Sequence, residues 1–350
     1  MRVVVVGATG NVGTAVVEAL AADDRVTSIV GLARRLPDAW SPPKTELRAA
    51  DVTEDDLVAH VAGADAVVHL AWLFQPTHEP LVTWRANALG SIRVFEAVTR
   101  ARVPALVYAS SVGAYAEGPE DDRRVGESWP THSLPTAAYG REKAYVERVL
   151  DVVERDHPDL RVVRLRPGFI FARSSATEQR RLFAGPFLPG WLVRPGRLPL
   201  VPLPAGLRFQ ALHATDVAEA YRLAVTGDAR GAFNVAAEPV IDTAAIAGAL
   251  GARLVEVPRA VVRAAVAAGW HAHLFPAAPE LVDLVFRLPV MDTTRARVEL
   301  GWAPQRSAVD ALAEMLEGMA DGAGGPTPPL AGDRPSRRLS ELRTGVGEAP

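Results

Sequence analysis

The chain has 350 residues, of which 49% are hydrophobic, and its 38 basic and 41 acidic side chains give a formal net charge of −3. This near-neutral balance without a long basic run argues against nucleic-acid and membrane surfaces, and the apolar content is ample for a large core. The absence of cysteine excludes disulfides, thiolate metal sites and thiol nucleophiles. We expect a cytoplasmic protein, because the first predicted strand begins at Arg2 and no apolar stretch reaches the length of a bilayer span.

The first predicted element is the strand Val3–Val6, which runs into Gly7, Gly10 and Gly13 and then into the helix-forming stretch 14–20. Glycine lets the backbone approach a pyrophosphate closely, and the amides and dipole at the start of the helix face its charge. Gly13 lets the helix pack closely on the strand. The pattern predicts a dinucleotide cradle, and a tight strand-to-helix turn without a ligand is the alternative.

Strands and helices then alternate along the chain. Predicted strands cover 26–32, 64–70, 105–109 and 160–165, and predicted helices cover 87–100 and 139–154. Repeated units of this kind imply a parallel sheet with helices on both faces, so the fold class is α/β with a doubly wound sheet. Ligands are expected at the carboxyl ends of the strands.

The chain is predicted to divide into two interleaved lobes and a tail. Residues 1–172 form the dinucleotide-binding domain, to which 208–235 return, while 173–207 and 236–320 form a smaller C-terminal substrate lobe. The stretch 174–207 has no regular period and is interpreted as loops, and apolar helices are expected near 243–250, 259–270 and 279–288. Residues 321–350 are rich in glycine, proline and charge and are predicted to be disordered.

The candidate catalytic residues are Ser111, Tyr139 and Lys143. Residues four apart share a helix face, so the Tyr139 phenol and the Lys143 ammonium can point into one site. A nearby cation favours the phenolate, which would let Tyr139 act as an acid or base near neutral pH. Ser111 could hold a substrate oxygen while a nicotinamide exchanges hydride with the attached carbon.

These motifs resemble the extended short-chain dehydrogenase/reductase superfamily, which includes the NAD-dependent epimerase/dehydratase family. The resemblance runs from Arg2 to about Ala313. It is carried by Gly7-x-x-Gly10-x-x-Gly13, Asp51-Val52, His69-Leu70-Ala71, Asn87, Ser110-Ser111, Tyr115, Tyr139-x-x-x-Lys143, Arg166-Pro167-Gly168, His213-x-x-Asp216-Val217-Ala218 and Leu300-Gly301-Trp302-x-Pro304. The resemblance implies a Rossmann-type sheet and a Ser-Tyr-Lys catalytic set. Ser111 is preferred to Ser110 because it stands four residues before Tyr115, as in the family's pattern.

The glycine-rich turn, the resemblance and the two arginines after the second strand together give the candidate cofactor residues. They are Gly7, Thr9, Gly10, Asn11, Val12, Gly13, Arg34, Arg35, Asp51, Val52, Leu70, Ala71, Asn87, Tyr139, Lys143 and Pro167. NAD-using members tend to carry an acid at the end of the second strand, where this chain has Arg34 and Arg35. Arginine pairs with a 2′-phosphate, so NADP is the expected cofactor, with NAD as the alternative.

We therefore predict an NAD(P)-dependent oxidoreductase acting on an alcohol or ketone carbon. A nucleotide-sugar epimerase or dehydratase using the same residues remains open, as does a non-catalytic NADP-binding regulatory module, although such modules usually lose the tyrosine or the lysine. The substrate stretch mixes apolar residues such as Trp191, which would enclose a hydrophobic substrate, with Arg180, Arg181, Arg194 and Arg197, which could hold a diphosphate. The expected partner is a small-molecule substrate, with no nucleic acid, membrane or metal, and a homodimer is left open.

Overall fold

The computed structural model describes residues 1–74, 78–183, 185, 187–274 and 276–333. Its strands are β1 (Arg2–Val6), β2 (Ser28–Ala33), β3 (Thr45–Ala49), β4 (Ala66–His69), β5 (Ala105–Ala109), β6 (Arg161–Pro167), β7 (Phe169–Phe171), β8 (Leu200–Pro204), β9 (Arg208–Phe209), β10 (Ala211–His213), β11 (Gly231–Val235), β12 (Ile241–Asp242) and β13 (Arg253–Val257). Its helices are α1 (Asn11–Ala22), α2 (Leu57–Val61), α3 (Pro80–Thr83), α4 (Gly90–Arg100), α5 (Ala138–Asp156), α6 (Ala176–Phe183), α7 (Ala214–Thr226), α8 (Thr243–Ala249), α9 (Arg259–His271), α10 (Pro279–Val285), α11 (Thr294–Glu299) and α12 (Ala308–Asp321).

Seven parallel strands form the central sheet in the order β11-β6-β5-β4-β1-β2-β3. The predicted α/β class and Rossmann-type parallel sheet are confirmed. The strand order reverses between β1 and β4, which opens a crevice at their carboxyl ends where such folds bind ligands. Three two-stranded pairs, β7 with β10, β8 with β13 and β9 with β12, lie outside this sheet.

The four valines of β1 show how the core is divided. Val3 and Val5 belong to one hydrophobic cluster, with residues of α1, α7 and α12, while Val4 and Val6 belong to a second, with residues of α2, α4 and α5. Successive side chains of a strand point to opposite faces, so a strand apolar at every position must be covered on both sides. The sheet is accordingly sandwiched between two helical layers.

Most predicted elements lie within a few residues of those observed, and 105–109 coincides with β5. The helix predicted at 87–100 has a π-helical start at Trp84–Leu89 and continues as α4. The stretch 174–207, interpreted as loops, contains α6 and β8. The helix α6 could not be predicted from the spacing of hydrophobic residues, because Arg180 and Arg181 form part of its buried face.

The C-terminal part interleaves with the rest of the fold. β11, from the segment predicted to return to the dinucleotide domain, is an edge strand of the main sheet beside β6. Beyond α12, residues 322–333, which we call the strap, pack against the fold, with Leu330 fully buried. The predicted disordered tail starts at 321, so its first part is packed, and residues 334–350 lie outside the described residues. Among the described helices, none combines the length and the apolar character that a membrane crossing requires.

Candidate active site

The glycine-rich turn after β1 has no room for a side chain at two of its positions, Gly7 and Gly13. Gly7 has φ +90°, and a Cβ there would lie 2.6 Å from the amide nitrogen of Ala71. A Cβ on Gly13 would lie 2.1 Å from the carbonyl oxygen of Gly7, so α1 packs directly on the turn. Gly10 is the N-cap of α1, and no described side chain caps this helix start. The amides of the first turn are therefore open to an anion.

A cavity of about 750 Å³ opens at this turn. Nine of the predicted cofactor residues line it, namely Gly7, Thr9, Gly10, Arg34, Arg35, Asp51, Val52, Leu70 and Ala71. It is also lined by Pro329 of the strap and by Glu178, Arg181 and Leu182 of α6, of which Arg181 was expected on the substrate side. The structure thus brings most of the predicted cofactor residues to one cavity.

Asp51 lines this cavity, and its side chain is held by hydrogen bonds within its own loop. Its Oδ1 accepts hydrogen bonds from the Thr53 amide at 2.8 Å and the Thr53 hydroxyl at 2.6 Å. Burial raises the pKa of Asp51, but the Thr53 hydrogen bonds and the charges of Arg34 and Arg93 outweigh it and hold the pKa below its ordinary value. Asp51 is therefore an anion at neutral pH that lies close to Arg34.

Four other predicted cofactor residues serve the framework in this structure. The Asn11 amide group donates to the carbonyl of Ile170 at 3.4 Å, and Val12 packs against the core. Pro167 ends β6 beside Val235. The Asn87 side chain accepts from the Leu73 amide at 2.6 Å and donates to the Leu73 carbonyl at 3.1 Å. Asn87 thereby clamps the segment that follows β4.

Ser111, Tyr139 and Lys143 meet at the carboxyl end of β5. Ser111 follows this strand, and its Oγ accepts from the Gly113 amide at 3.0 Å, while the Tyr139 ring lies against the same glycine. Lys143, one helical turn beyond Tyr139, donates to the Ala109 carbonyl at 2.7 Å. The predicted catalytic side chains are therefore adjacent in the fold.

The pKa values differ from the expectation that Lys143 favours the Tyr139 phenolate. Burial raises the pKa of Tyr139 to about 12, and the Ser111 hydrogen bond only partly opposes it. Burial also lowers the pKa of Lys143 well below its ordinary value, against the weaker effects of Glu142 and Glu147. Desolvation disfavours both charged forms, so the Tyr139 phenol is neutral at physiological pH.

Aromatic side chains from the segment after β4 enclose the pair. The Lys143 Nζ lies 3.4 Å from the centroid of the Trp72 ring, a cation–π contact. Phe74 packs edge-on against Tyr139 with centroids 4.7 Å apart, and Phe183 of α6 lies 5.7 Å from Phe74. Sequence reasoning missed these contacts, because the segment after β4 is irregular and has no periodicity from which the directions of its side chains could be inferred.

Glu142, next to Lys143, is a buried carboxylate that sequence reasoning also missed. It is 1% exposed, and its oxygens accept from the Thr83 hydroxyl and the Asn87 amide group, each at 2.7 Å. Burial raises the pKa of Glu142, and these two hydrogen bonds oppose the rise. Through Asn87, the carboxylate connects α5 to the backbone of Leu73.

A second buried carboxylate, Glu147, anchors α5 to the strands. It accepts from the Ser110 hydroxyl at 2.6 Å and from two Arg166 nitrogens at 2.8 and 2.9 Å. Arg164 adds a contact at 3.1 Å. Tyr139, Lys143 and Glu147 are spaced four apart, so helical periodicity alone could have placed Glu147 on the active face.

A second cavity of about 380 Å³ lies against Tyr139. Trp72 and Phe74 border both cavities. The remaining wall combines Glu142 and Asn87 with Trp270 of α9, whose ring stacks on His78 with centroids 3.7 Å apart. The cavity is mainly apolar, and its polar lining includes the carboxylates of Glu142 and Glu280, the Asn87 amide and the guanidinium of Arg141.

Several arginines proposed for a diphosphate are engaged elsewhere. Arg180 donates to the carbonyl of Gly185 at 2.6 Å and lies 3.7 Å from the Asp333 carboxylate. Arg194 pairs with Asp321 at 2.7 Å. Arg181 lines the larger cavity. The structure thus gathers no cluster of these three side chains beside Tyr139.

Comparison with known proteins agrees with this architecture. The model of the NAD dependent epimerase/dehydratase family matches residues 3–236. An uncharacterized protein of Mycobacterium tuberculosis is 26% identical over 233 residues, which cover 66% of this chain and only 59% of that relative. L-arabinose 1-dehydrogenase (NAD(P)(+)) of Haloferax volcanii is 33% identical over 190 residues, 51% of this chain and 70% of that enzyme. Among solved structures, the UDP-glucose 4-epimerase of Thermus thermophilus in complex with NAD has a TM-score of 0.66 at 23% identity, covering 91% of this chain and 99% of the other.

Proposed function

The chain belongs to the NAD-dependent epimerase/dehydratase family of enzymes, and we propose that it is an NADP-dependent oxidoreductase that exchanges hydride with an alcohol or ketone carbon. The observation that carries the proposal is the meeting of three side chains at the end of β5, where Ser111 and Tyr139 both lie against Gly113 and Lys143 is one turn further along α5. The cavity of about 750 Å³ beside it has the size of a cofactor site.

The cradle fits a dinucleotide. A Cβ at Gly7 or Gly13 would collide with the backbone, so the turn carries no side chain at these two positions. The uncapped amides of α1 suit a pyrophosphate. When bound, the nicotinamide supplies hydride transfer to or from the substrate carbon.

The chain's own residues would then handle the substrate oxygen. The Ser111 hydroxyl holds this oxygen, and Tyr139 gives it a proton during reduction or accepts its proton during oxidation. Lys143 holds the nicotinamide ribose, as the family resemblance implies. Because the Trp72 ring covers the Lys143 ammonium, we expect that ring to turn aside when the ribose binds.

Two arginines support NADP as the preferred cofactor. Arg34 and Arg35 follow β2, line the cavity, and occupy the position where an acid would bind the ribose hydroxyls of NAD. Guanidinium groups form strong paired hydrogen bonds with a phosphate. The negative charge of Asp51 lies close to Arg34, which helps to keep that side chain at the cavity.

The positions of the other arginines favour net oxidation or reduction over nucleotide-sugar epimerisation. A diphosphate held beside Tyr139 needs cations there, whereas Arg180 and Arg194 are engaged with Gly185, Asp333 and Asp321. The cavity against Tyr139 is mainly apolar, and its described lining includes one arginine, Arg141, with the acidic Glu142 and Glu280, so it suits a substrate without a diphosphate. Retention of both Tyr139 and Lys143 also favours a catalyst over a regulatory module.

The test of the reaction is a panel of alcohols, ketones and nucleotide sugars, followed by nicotinamide absorbance and product mass. With an identified substrate, Tyr139→Phe is expected to lower kcat by about 100-fold or more while the protein still binds the cofactor. Tyr145→Phe is the matched control, because Tyr145 lies on the same helix and is 39% exposed. Unchanged turnover in Tyr139→Phe, or product formation only from nucleotide sugars without net cofactor consumption, would contradict the proposal.

Cofactor preference is tested by binding of NADPH and NADH. Removing one phosphate-binding arginine by Arg34→Ala is expected to weaken NADPH binding by about 10- to 100-fold and to leave NADH binding nearly unchanged. Arg48→Ala is the control, because Arg48 lies on the neighbouring strand β3 and pairs with Glu46. Tighter binding of NADH than of NADPH by the intact protein would refute the preference for NADP.

A further inference from the structure

We infer that the strap, residues 322–333, and α6 together form the roof of the dinucleotide cavity and determine how tightly the cofactor is held. This inference rests on the proposed nicotinamide cofactor. The strap lies beyond residues 3–236, where the family model matches, so it is a feature of this chain's C-terminal part.

The strap touches the cradle directly. The Thr327 hydroxyl donates to the carbonyl of Thr9 at 2.7 Å, and Thr327 is 1% exposed. Pro329, two residues further, lines the same cavity as Thr9 and Gly10. One side of the cavity is therefore built from residues that lie more than 300 positions apart in the sequence.

The strap is held by hydrogen bonds of its own and by a buried side chain. The Gly325 amide donates to the Leu330 carbonyl at 2.6 Å, and the Asp333 amide donates to the Gly322 carbonyl at 3.0 Å, which closes the segment into a loop. Leu330 is fully buried and anchors it. A surface ordered in advance adds contacts to a ligand without an ordering cost at binding.

The strap is also joined to α6. The Thr177 hydroxyl donates to the Ala323 carbonyl at 2.6 Å, and Arg180 lies 3.7 Å from Asp333. Because Leu182, Glu178 and Arg181 line the cavity with Pro329, the helix and the strap present one continuous surface to a bound dinucleotide.

The charge of this surface suits an anionic ligand. Arg181 contributes a guanidinium to a cavity whose floor is the cradle. Burial raises the pKa of the neighbouring Glu178 to about 7, against the opposing charge of Arg181, so much of its negative charge is removed at neutral pH. A dinucleotide lying between cradle and roof would contact both, and weakening the roof should mainly speed its dissociation.

Two substitutions test the roof. Thr327→Val keeps the size of the side chain and removes the hydrogen bond to Thr9, and Pro329→Ala removes part of the cavity wall without touching a hydrogen bond. Each is expected to raise the dissociation constant for NADPH by roughly 3- to 10-fold, through a faster release rate in stopped-flow displacement. Thr226→Val is the matched control, because its hydroxyl also donates to a carbonyl, that of Arg222 at 2.8 Å, within α7.

Different outcomes would refute the proposed function and the role of the roof. If the intact protein binds neither NADPH nor NADH, the proposed function fails. If the intact protein binds a cofactor and both variants bind it with unchanged affinity and release rate, the roof is refuted. A lower melting temperature of either variant with unchanged cofactor binding would also refute it, because the strap would then be only a brace. If Thr327→Val does not fold, cofactor binding by Pro329→Ala alone tests the role of the roof.

Discussion

Replacing Glu147 by glutamine is expected to destabilise the protein strongly. The carboxylate is fully buried and accepts hydrogen bonds from Ser110, Arg164 and Arg166. Glutamine keeps the size of the side chain but loses the charge, so the buried Arg166 loses its carboxylate partner, whereas Arg164 keeps its pairs with Asp151 and Glu154. Breaking a buried ion pair in this way typically costs about 3–5 kcal/mol.

The pKa of Glu147 gives a second measure of the magnitude. Burial raises this pKa, but the Arg166 hydrogen bonds and charge, with smaller effects from Arg164 and Ser110, lower it from 4.5 to about 2. At about 1.4 kcal/mol per pKa unit, the ionised carboxylate stabilises the fold by about 3 kcal/mol. Because the folded-state pKa is depressed, this contribution is fully present above pH of about 4.5 and is lost as the pH falls towards 2.

Urea unfolding followed by tryptophan fluorescence measures the effect. The difference in unfolding free energy between the intact protein and Glu147→Gln should be constant from pH 8 to about pH 5 and shrink in more acidic solution. Glu46→Gln is the control, because its ion pair with Arg48 is exposed, and no measurable change is expected. A loss below about 1 kcal/mol for Glu147→Gln, or a difference that persists in acid, would refute the reasoning.

Three further predictions concern catalysis. Gly113→Ala is expected to lower kcat by about 10-fold or more, because the new methyl group would lie 2.8 Å from the Tyr139 ring. Gly248→Ala is the control and should leave kcat unchanged, because there is open space around Gly248. Equal kcat in the two variants would contradict this prediction. Glu142→Gln should raise the KM for the cofactor several-fold, because it disturbs the Asn87 clamp, and an unchanged KM would show that the clamp holds without the charge. Burial raises the pKa of Tyr139 to about 12, so kcat/KM for alcohol oxidation should rise with pH through at least pH 10, and a plateau near neutral pH would show that another group is the base.

The sheet and the cradle could be predicted from sequence because their signals are local. A strand of four valines must be buried on both faces, and glycines three apart leave few conformations for the turn that follows. Tyr139 and Lys143 were predictable for the same reason, since helical spacing alone puts them on one face. In each case a few neighbouring residues suffice to define the geometry.

The enclosure of the site could not be predicted, because it depends on contacts between distant segments. Nothing near Trp72 in the sequence indicates that its ring would cover Lys143, which lies 3.4 Å from the ring centroid. The composition of the strap is typical of disorder, yet Thr327 and Leu330 are enough to anchor it. The carboxylate partners of Arg180 and Arg194, which are Asp333 and Asp321, likewise come from the C-terminal part, so charge alone could not assign these arginines to a substrate.

The hydrogen bond between Thr9 and Thr327, which joins positions 318 residues apart, has a consequence for biosynthesis. The strands and helices around the cradle come early in the chain and can pack while later segments are still being translated. The wall that contains Pro329 can be added only after the last helix has left the ribosome. A nascent chain therefore presents an incomplete cavity, and on the proposed function full affinity for the cofactor marks a protein whose synthesis has passed the strap.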